Sequence, residues 1–144
     1  MENNARLFID TWGWVTIHNK REPRHEKVES FYAEFRRQRG MAYTTDYVLD
    51  ETFTLLFKRL SFFQARESME RLDEAIQKGY LQLELITPER FEQAKRLRLK
   101  FQDKPRISFT DLTSMAVMNE LGITDILTQD AHFTQVEMGF LIAP

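Results

Sequence analysis

Short apolar runs of strand length alternate along this chain with segments whose apolar residues recur at helical spacing, and that alternation leaves few folds open. Leu7-Phe8-Ile9-Asp10 reads as a first strand, with a short helix from Trp12 to Asn19 behind it. Lys20-Arg21-Glu22-Pro23-Arg24 is a basic loop, because Pro23 argues against a continuous helix. Val28, Phe31, Tyr32 and Phe35 place a helix over His25 to Arg37, with Gly40 as its stop and Met41-Ala42-Tyr43-Thr44 as the second strand. Asp46 is the expected N-cap of a helix carrying Val48, Leu49, Thr52, Leu55 and Leu56. Phe63 to Lys78 forms the next helix, ending at Gly79, and Leu81 to Ile86 alternates like a half-exposed edge strand. Thr87-Pro88 supplies a cap and a first-turn proline for a helix through Phe91, Ala94, Leu97 and Phe101. After the loop Asp103-Lys104-Pro105-Arg106, Ser108 opens an apolar helix to about Leu121, stopped at Gly122. Asp125 to Thr128 and Phe140 to Ile142 are the last strands. The pattern predicts an α/β fold, a three-layer α/β/α sandwich with a mostly parallel central sheet.

At 144 residues, with 42% hydrophobic and 29% charged residues, the expectation is one soluble globular domain over 1–144. No apolar run approaches the roughly 20 residues that span a bilayer, and nothing at the N-terminus resembles a signal peptide. With no cysteine, disulfides and thiolate metal sites are excluded, which fits a cytoplasmic protein. The net charge of -2 does not advertise nucleic-acid binding, nor does it exclude it, because a metal cluster adds acids that the metal neutralises.

Four acids stand at informative places: Asp10 and Asp130 beyond strand ends, Glu51 and Asp111 early in helices. In an open α/β sheet, ligands bind outside the carboxyl ends of the strands, where the strand order reverses. Acids gathered there repel one another unless a cation sits among them, and an all-oxygen set suits Mg2+ or Mn2+. Metal-assisted phosphodiester chemistry is the natural consequence. Each acid also has a structural explanation. Asp10 can cap the helix near Trp12, Asp130 one near Ala131, and Ser108-Phe109-Thr110-Asp111 is similar to a capping box. Glu51 alone is an ordinary solvated helix residue. What separates the readings is convergence on one sheet edge, and the two roles are compatible for Asp111.

Phe8-Ile9-Asp10-Thr11, Asp46-Tyr47-Val48-Leu49-Asp50-Glu51-Thr52, Ser108-Phe109-Thr110-Asp111 and Leu127-Thr128-Gln129-Asp130-Ala131-His132-Phe133 occur in the order found in PIN-domain nucleases. The whole pattern, with the ending Gly139-Phe140-Leu141-Ile142, resembles the small bacterial VapC-type toxins. It runs from Leu7 to about Ile142, although Ser61 to Thr87 matches mainly in hydrophobic pattern. The resemblance implies a Mg2+- or Mn2+-dependent endoribonuclease, with Asp10, Glu51, Asp111 and Asp130 as catalytic metal ligands. Thr11, Ser108 and Thr128 would be supporting hydroxyls. It implies hydrolysis by a metal-activated water, products with a 5′-phosphate and a 3′-hydroxyl, homodimerisation, and a small antitoxin entering the acidic groove. Asp50 neighbours Glu51, but helix neighbours point ~100° apart, and the motif favours Glu51.

Competing readings are a catalytically silent PIN-like module for RNA binding or scaffolding, and a receiver-like phosphoacceptor domain. The first is disfavoured by the retention of all four acids. The second wants paired acids at the first strand and a lysine after a late one, where this chain has Asp130. His18, His25 and His132 lack metal spacing, and for His132 a surface or supporting place is preferred over ligation. Trp12 and Trp14 are assigned to packing rather than base stacking. The basic runs Arg36-Arg37-Arg39 and Lys95-Arg96-Arg98-Lys100 are read as solvated faces; Lys20, Arg21 and Arg24 are better placed for RNA. Phe31, Phe35, Phe57, Phe62 and Phe63 are either core or an interface. The identity of the RNA is not written in the chain.

Overall fold

The computed structural model describes residues 5–144. Its elements are β1 (Arg6–Ile9), α1 (Thr11–His18), α2 (His25–Arg37), β2 (Met41–Thr45), α3 (Asp46–Arg59), α4 (Phe62–Gln77), β3 (Leu81–Glu84), α5 (Pro88–Lys100), α6 (Phe109–Leu121), β4 (Asp125–Leu127), α7 (His132–Gln135) and β5 (Leu141–Ala143). The strands form one five-stranded sheet in the order β3-β2-β1-β4-β5, and every neighbouring pair is parallel. The α/β/α sandwich expected from the alternation is therefore the observed fold class. Right-handed crossovers send α1 to α4 over one face, because β1, β2 and β3 advance in one direction. The return from β3 to β4 reverses that direction and carries α5 and α6 over the other face.

Burial follows from this order. The central β1 is covered on both sides, so Leu7, Phe8 and Ile9 are all at 1% exposure or less. The edge strand β3 keeps the alternation that made it legible, with Leu81 buried and Gln82 exposed. Arg90 on α5 clamps this edge, donating to Glu84 at 2.9 Å, to Glu120 at 2.8 Å and to the Leu85 carbonyl at 2.8 Å. Arg6 donates to the last carbonyls of α6, Leu121 at 2.8 Å and Gly122 at 2.9 Å, which would otherwise lack partners.

The structure revises several local expectations. Thr45, not Asp46, caps α3, its hydroxyl accepting from Val48 N at 3.1 Å. Asp46 instead accepts from Ile86 N at 2.9 Å and ties the exit of β3 to the start of α3. Beyond α2 the left-handed residue is Arg39, at φ 63°. Gly40 is small for another reason: a Cβ there would lie 2.4 Å from the Phe35 ring. Trp14 is buried and donates to Thr44 Oγ1 at 3.1 Å, a packing role. Phe31 and Phe35 pack against the core, whereas Phe62 and Phe63 stay 64% and 78% exposed. Arg98 is no solvated charge, since it donates to the carbonyls of Phe101, Lys104 and Ile107. Among the described residues, no helix is long and apolar enough to cross a membrane.

Candidate metal centre

The strand order turns between β1 and β4: the chain first builds β2 and β3 on one side of β1, then β4 and β5 on the other. The crevice at the carboxyl ends of β1 and β4 is thus the position where this class of sheet takes ligands. Asp10 sits there, directly after β1. It is the N-cap of α1, with Oδ1 accepting from Gly13 N at 2.9 Å, and Oδ2 accepts from the Thr128 hydroxyl in a very short hydrogen bond. Gly13 is demanded by this arrangement. A Cβ there would lie 2.8 Å from both Ile9 Cγ2 and the Leu127 carbonyl oxygen, so only glycine lets α1 settle against β1 and β4.

Thr128 joins the two strand ends, since its hydroxyl also accepts from Asp130 N at 3.0 Å. Asp130 Oδ1 accepts from His132 N at 2.8 Å, closing a turn that fixes the carboxylate before α7 begins. Across the crevice, Ser108 caps α6 by accepting from Asp111 N at 3.0 Å, which sets Asp111 in the first turn and leaves its carboxyl outside the cap. Glu51, in the second turn of α3, accepts from Thr11 Oγ1 at 2.6 Å. That bond selects Glu51 over the adjacent Asp50. The structure thus gathers Asp10, Glu51, Asp111 and Asp130 in one crevice and gives Thr11, Ser108 and Thr128 hydroxyl contacts within it.

Crowding shows in the acidities. Burial pushes the Asp10 carboxyl up to about 7; Thr128 and Gly13 pull against that, and the charges of Asp130 and Glu51 add to it. Asp111 is pushed up to about 8, first by burial, then by its hydrogen bond with Asp130, then by the charges of Asp10, Asp130 and Glu51. Near neutrality protons therefore hold the cluster together, and a cation is the group that replaces them. Asp111, Asp130 and His132 each offer a ligand atom, and these atoms all lie within 4.8 Å of one another. Asp10 and Glu51 adjoin that trio through Thr128 and through charge. Carboxylates with one imidazole and no thiolate fit a divalent ion of the Mg2+ or Mn2+ kind.

His132, expected in a surface or supporting place, lies beside Asp130 and within a group of potential ligand atoms. Its Nδ1 is 3.0 Å from Asp130 Oδ1. The available signal was the two-residue spacing from Asp130, which a turn converts into side-by-side side chains. A separate cavity of about 320 Å3 lies at the far end of α1, lined by His18, Lys20, Arg21, His25 and Arg71 among others. Lys20 and Arg21 belong to it rather than to the crevice, while Arg24 rests 5.4 Å from the centre of the Trp12 ring.

Comparison with known proteins places the chain. The PIN domain family matches residues 7–138. VapC20 of Mycobacterium tuberculosis, described as a Sarcin-Ricin loop cleaving toxin, is 29% identical; the match covers 94% of this chain and 96% of that one, with a TM-score of 0.77. VapBC2 from Rickettsia felis, bound to a DNA fragment from its promoter, is 15% identical over 96% and 97% of the two chains, with a TM-score of 0.69. FitAcB from Neisseria gonorrhoeae is likewise 15% identical, over 96% of each chain, with a TM-score of 0.65. No curated protein matches in sequence. A family match over nearly the whole chain, on a parallel sheet whose switch point carries the acids, makes this chain a member of the PIN domain family.

Proposed function

We propose that this protein is a divalent-metal-dependent endoribonuclease, the toxin of a toxin–antitoxin pair. The observation that carries the reading is the convergence of Asp10, Glu51, Asp111 and Asp130 on one crevice, with Asp10 and Asp111 held up to about 7 and 8 by burial and mutual charge. The likeness to VapC20 adds RNA as the substrate class, and the Sarcin-Ricin loop as the first RNA to try.

A divalent ion, when bound, supplies the acidity that makes water a nucleophile at neutral pH and positive charge for the phosphate as it is attacked. The chain does the rest. Asp10, fixed at both oxygens by Gly13 N and Thr128, would hold the ion centrally, with Asp111 as its partner across the crevice. Both would give up their protons to it. Thr11 aims Glu51, and the turn at Asp130 presents that carboxylate from β4. Thr128 is no nucleophile: it is 1% exposed and its hydroxyl is committed to Asp10 and Asp130. Attack by water at phosphorus, with the 3′ oxygen leaving, gives a 5′-phosphate and a 3′-hydroxyl.

We assign the exposed aromatic surface of Phe57, Phe62 and Phe63 to protein contact, with the antitoxin or in the homodimer, because rings this exposed are costly to leave in water. The deciding experiment is cleavage of total cellular RNA by the purified protein with Mn2+ or Mg2+ against a chelator, beside Asp10→Asn. Metal-dependent cutting lost in the variant supports the proposal. If neither cutting nor Asp10-dependent metal binding is found, it fails.

A further inference from the structure

We infer that His132 is itself a metal ligand, so that this site takes a nitrogen donor beside its carboxylates and prefers Mn2+ to Mg2+. The inference rests on the metal-dependent reading above and goes beyond it in naming a ligand and a metal preference. Three observations on the crevice carry it.

The imidazole belongs to a compact group of potential ligand atoms: those of Asp111, Asp130 and His132 all lie within 4.8 Å of one another. Ligand atoms bound at about 2.1–2.2 Å to one octahedral ion lie about 3 Å apart when adjacent and roughly 4.3 Å when opposite, so such a group can close on one ion with little movement. The separation of His132 Nδ1 from Asp130 Oδ1 is 3.0 Å, already that of adjacent ligands.

The second observation is what stands between these groups. Asp130 has the His132 Nδ1 3.0 Å away on one side and the Asp111 carboxyl on the other. The imidazole and the Asp111 carboxyl thus flank one carboxylate, as two ligands beside a third would.

The third is the placement of the ring. The turn of Asp130 Oδ1 onto His132 N, at 2.8 Å, pins the His132 backbone at the start of α7. The side chain remains 25% exposed, so solvent can carry its proton to Nε2 when Nδ1 turns to a metal. An imidazole donor suits Mn2+ and later first-row ions, whereas Mg2+ favours oxygen. The competing role is a hydrogen bond that merely orients Asp130, as groups behind metal ligands commonly do.

The test uses the full chain loaded with Mn2+ alone and reads the nitrogen coupling by pulsed electron paramagnetic resonance, calibrated on an aqueous Mn2+–imidazole complex. Asp10→Asn controls for ions bound elsewhere. A directly bonded nitrogen in the parent, absent in His132→Asn, is the expected result. Asparagine keeps an N–H that can meet Asp130 but lacks the imidazole lone pair. Mn2+ affinity should fall about ten- to a hundredfold in that variant, the range for groups that shape a metal site, with Mg2+ affinity moving less. Asp10-dependent Mn2+ binding without a bonded nitrogen, or with Mn2+ and Mg2+ affinities falling alike in His132→Asn, overturns this inference and leaves the nuclease reading standing. No Asp10-dependent Mn2+ binding overturns both.

Discussion

Asp10→Asn should make the metal-free protein more stable, and the gain should grow with pH. Asp10 is 6% exposed, and its carboxyl is pushed from an ordinary 3.8 up to about 7, chiefly by burial. A carboxyl raised in the folded state stabilises when protonated. That contribution is complete below 3.8, where the unfolded chain is also protonated, and is lost as pH rises through about 7. Relative to the fully protonated form, the parent gives up about 1–2 kcal/mol by pH 5 and about 4 kcal/mol by pH 8. Asparagine carries no charge to bury and so gives up neither.

The substitution has its own cost. Its amide oxygen can keep the bond from Gly13 N, but its N–H2 then faces Thr128 Oγ1, which already accepts from Asp130 N at 3.0 Å. The Thr128 hydrogen must find another acceptor, at about 1 kcal/mol. The net expectation is a variant near parental stability at pH 5 and about 3 kcal/mol more stable at pH 8. The assay is urea unfolding in the presence of a chelator at both pH values. Asp111 is present in both proteins and cancels to first order; the Asp10 charge that helps to raise it only enlarges the difference. An Asp10→Asn gain that is equal at both pH values, or a loss at pH 8, would refute the argument that burial of this carboxyl strains the apo fold.

Gly13→Ala should cost about 1–3 kcal/mol, because its methyl meets β1 and the β4 backbone at 2.8 Å and α1 must shift; the urea midpoint and cleavage rate should drop together. Glu51→Gln and Asp50→Asn form a matched pair on exposed positions of α3. Both should leave stability within about 0.5 kcal/mol, yet only Glu51→Gln should abolish cleavage, and the reverse would reassign the fourth acid. Thr128→Val removes the strongest influence that keeps the Asp10 carboxyl acidic. Hydrogen bonds to charged groups are worth roughly 1.5–3 kcal/mol, so metal affinity at pH 7 should weaken about ten- to a hundredfold and recover partly at higher pH, as calorimetry would show.

Much of this fold is legible in the sequence because its signals are local. The strands begin and end within about two residues of the apolar runs, and Ser108, Thr87 and Gly122 do at their helix ends what their side chains suit them to do. The errors fall where two neighbours can do the same job. Thr45 and Asp46 are both good caps, but Thr45 takes the cap while Asp46 Oδ1 accepts from Ile86 N, forty residues away, as well as from Tyr47 N of its own helix. Gly40 looks like a helix stop, whereas Phe35 packing is what excludes a larger residue. The four acids are legible as residues, but their crowding is not. The weakened acidities of Asp10 and Asp111 need burial and distances that arise only when β1, β4 and α6 meet. The nearness of His132 to Asp111 is hidden for the same reason, since the group spans α6 and the loop after β4.

The structural and chemical roles of these acids then cease to compete, because they use different atoms or different charge states. Asp10 caps α1 through Oδ1, and Ser108 holds the Asp111 backbone without using its carboxyl. What the caps cannot do is remove the repulsion, which in the apo protein is relieved by protons on Asp10 and Asp111. Binding of a divalent ion must displace them, so proton release measures the crowding directly. With carboxyls at about 7 and about 8, roughly 1.7 protons should leave per site at pH 6.5 and roughly 0.3 at pH 8.5. Mn2+ titration calorimetry in buffers of differing ionisation enthalpy would count them. Release near zero at pH 6.5 with intact binding would mean that the acids are already ionised in the empty crevice, and that solvent rather than protonation offsets their charge.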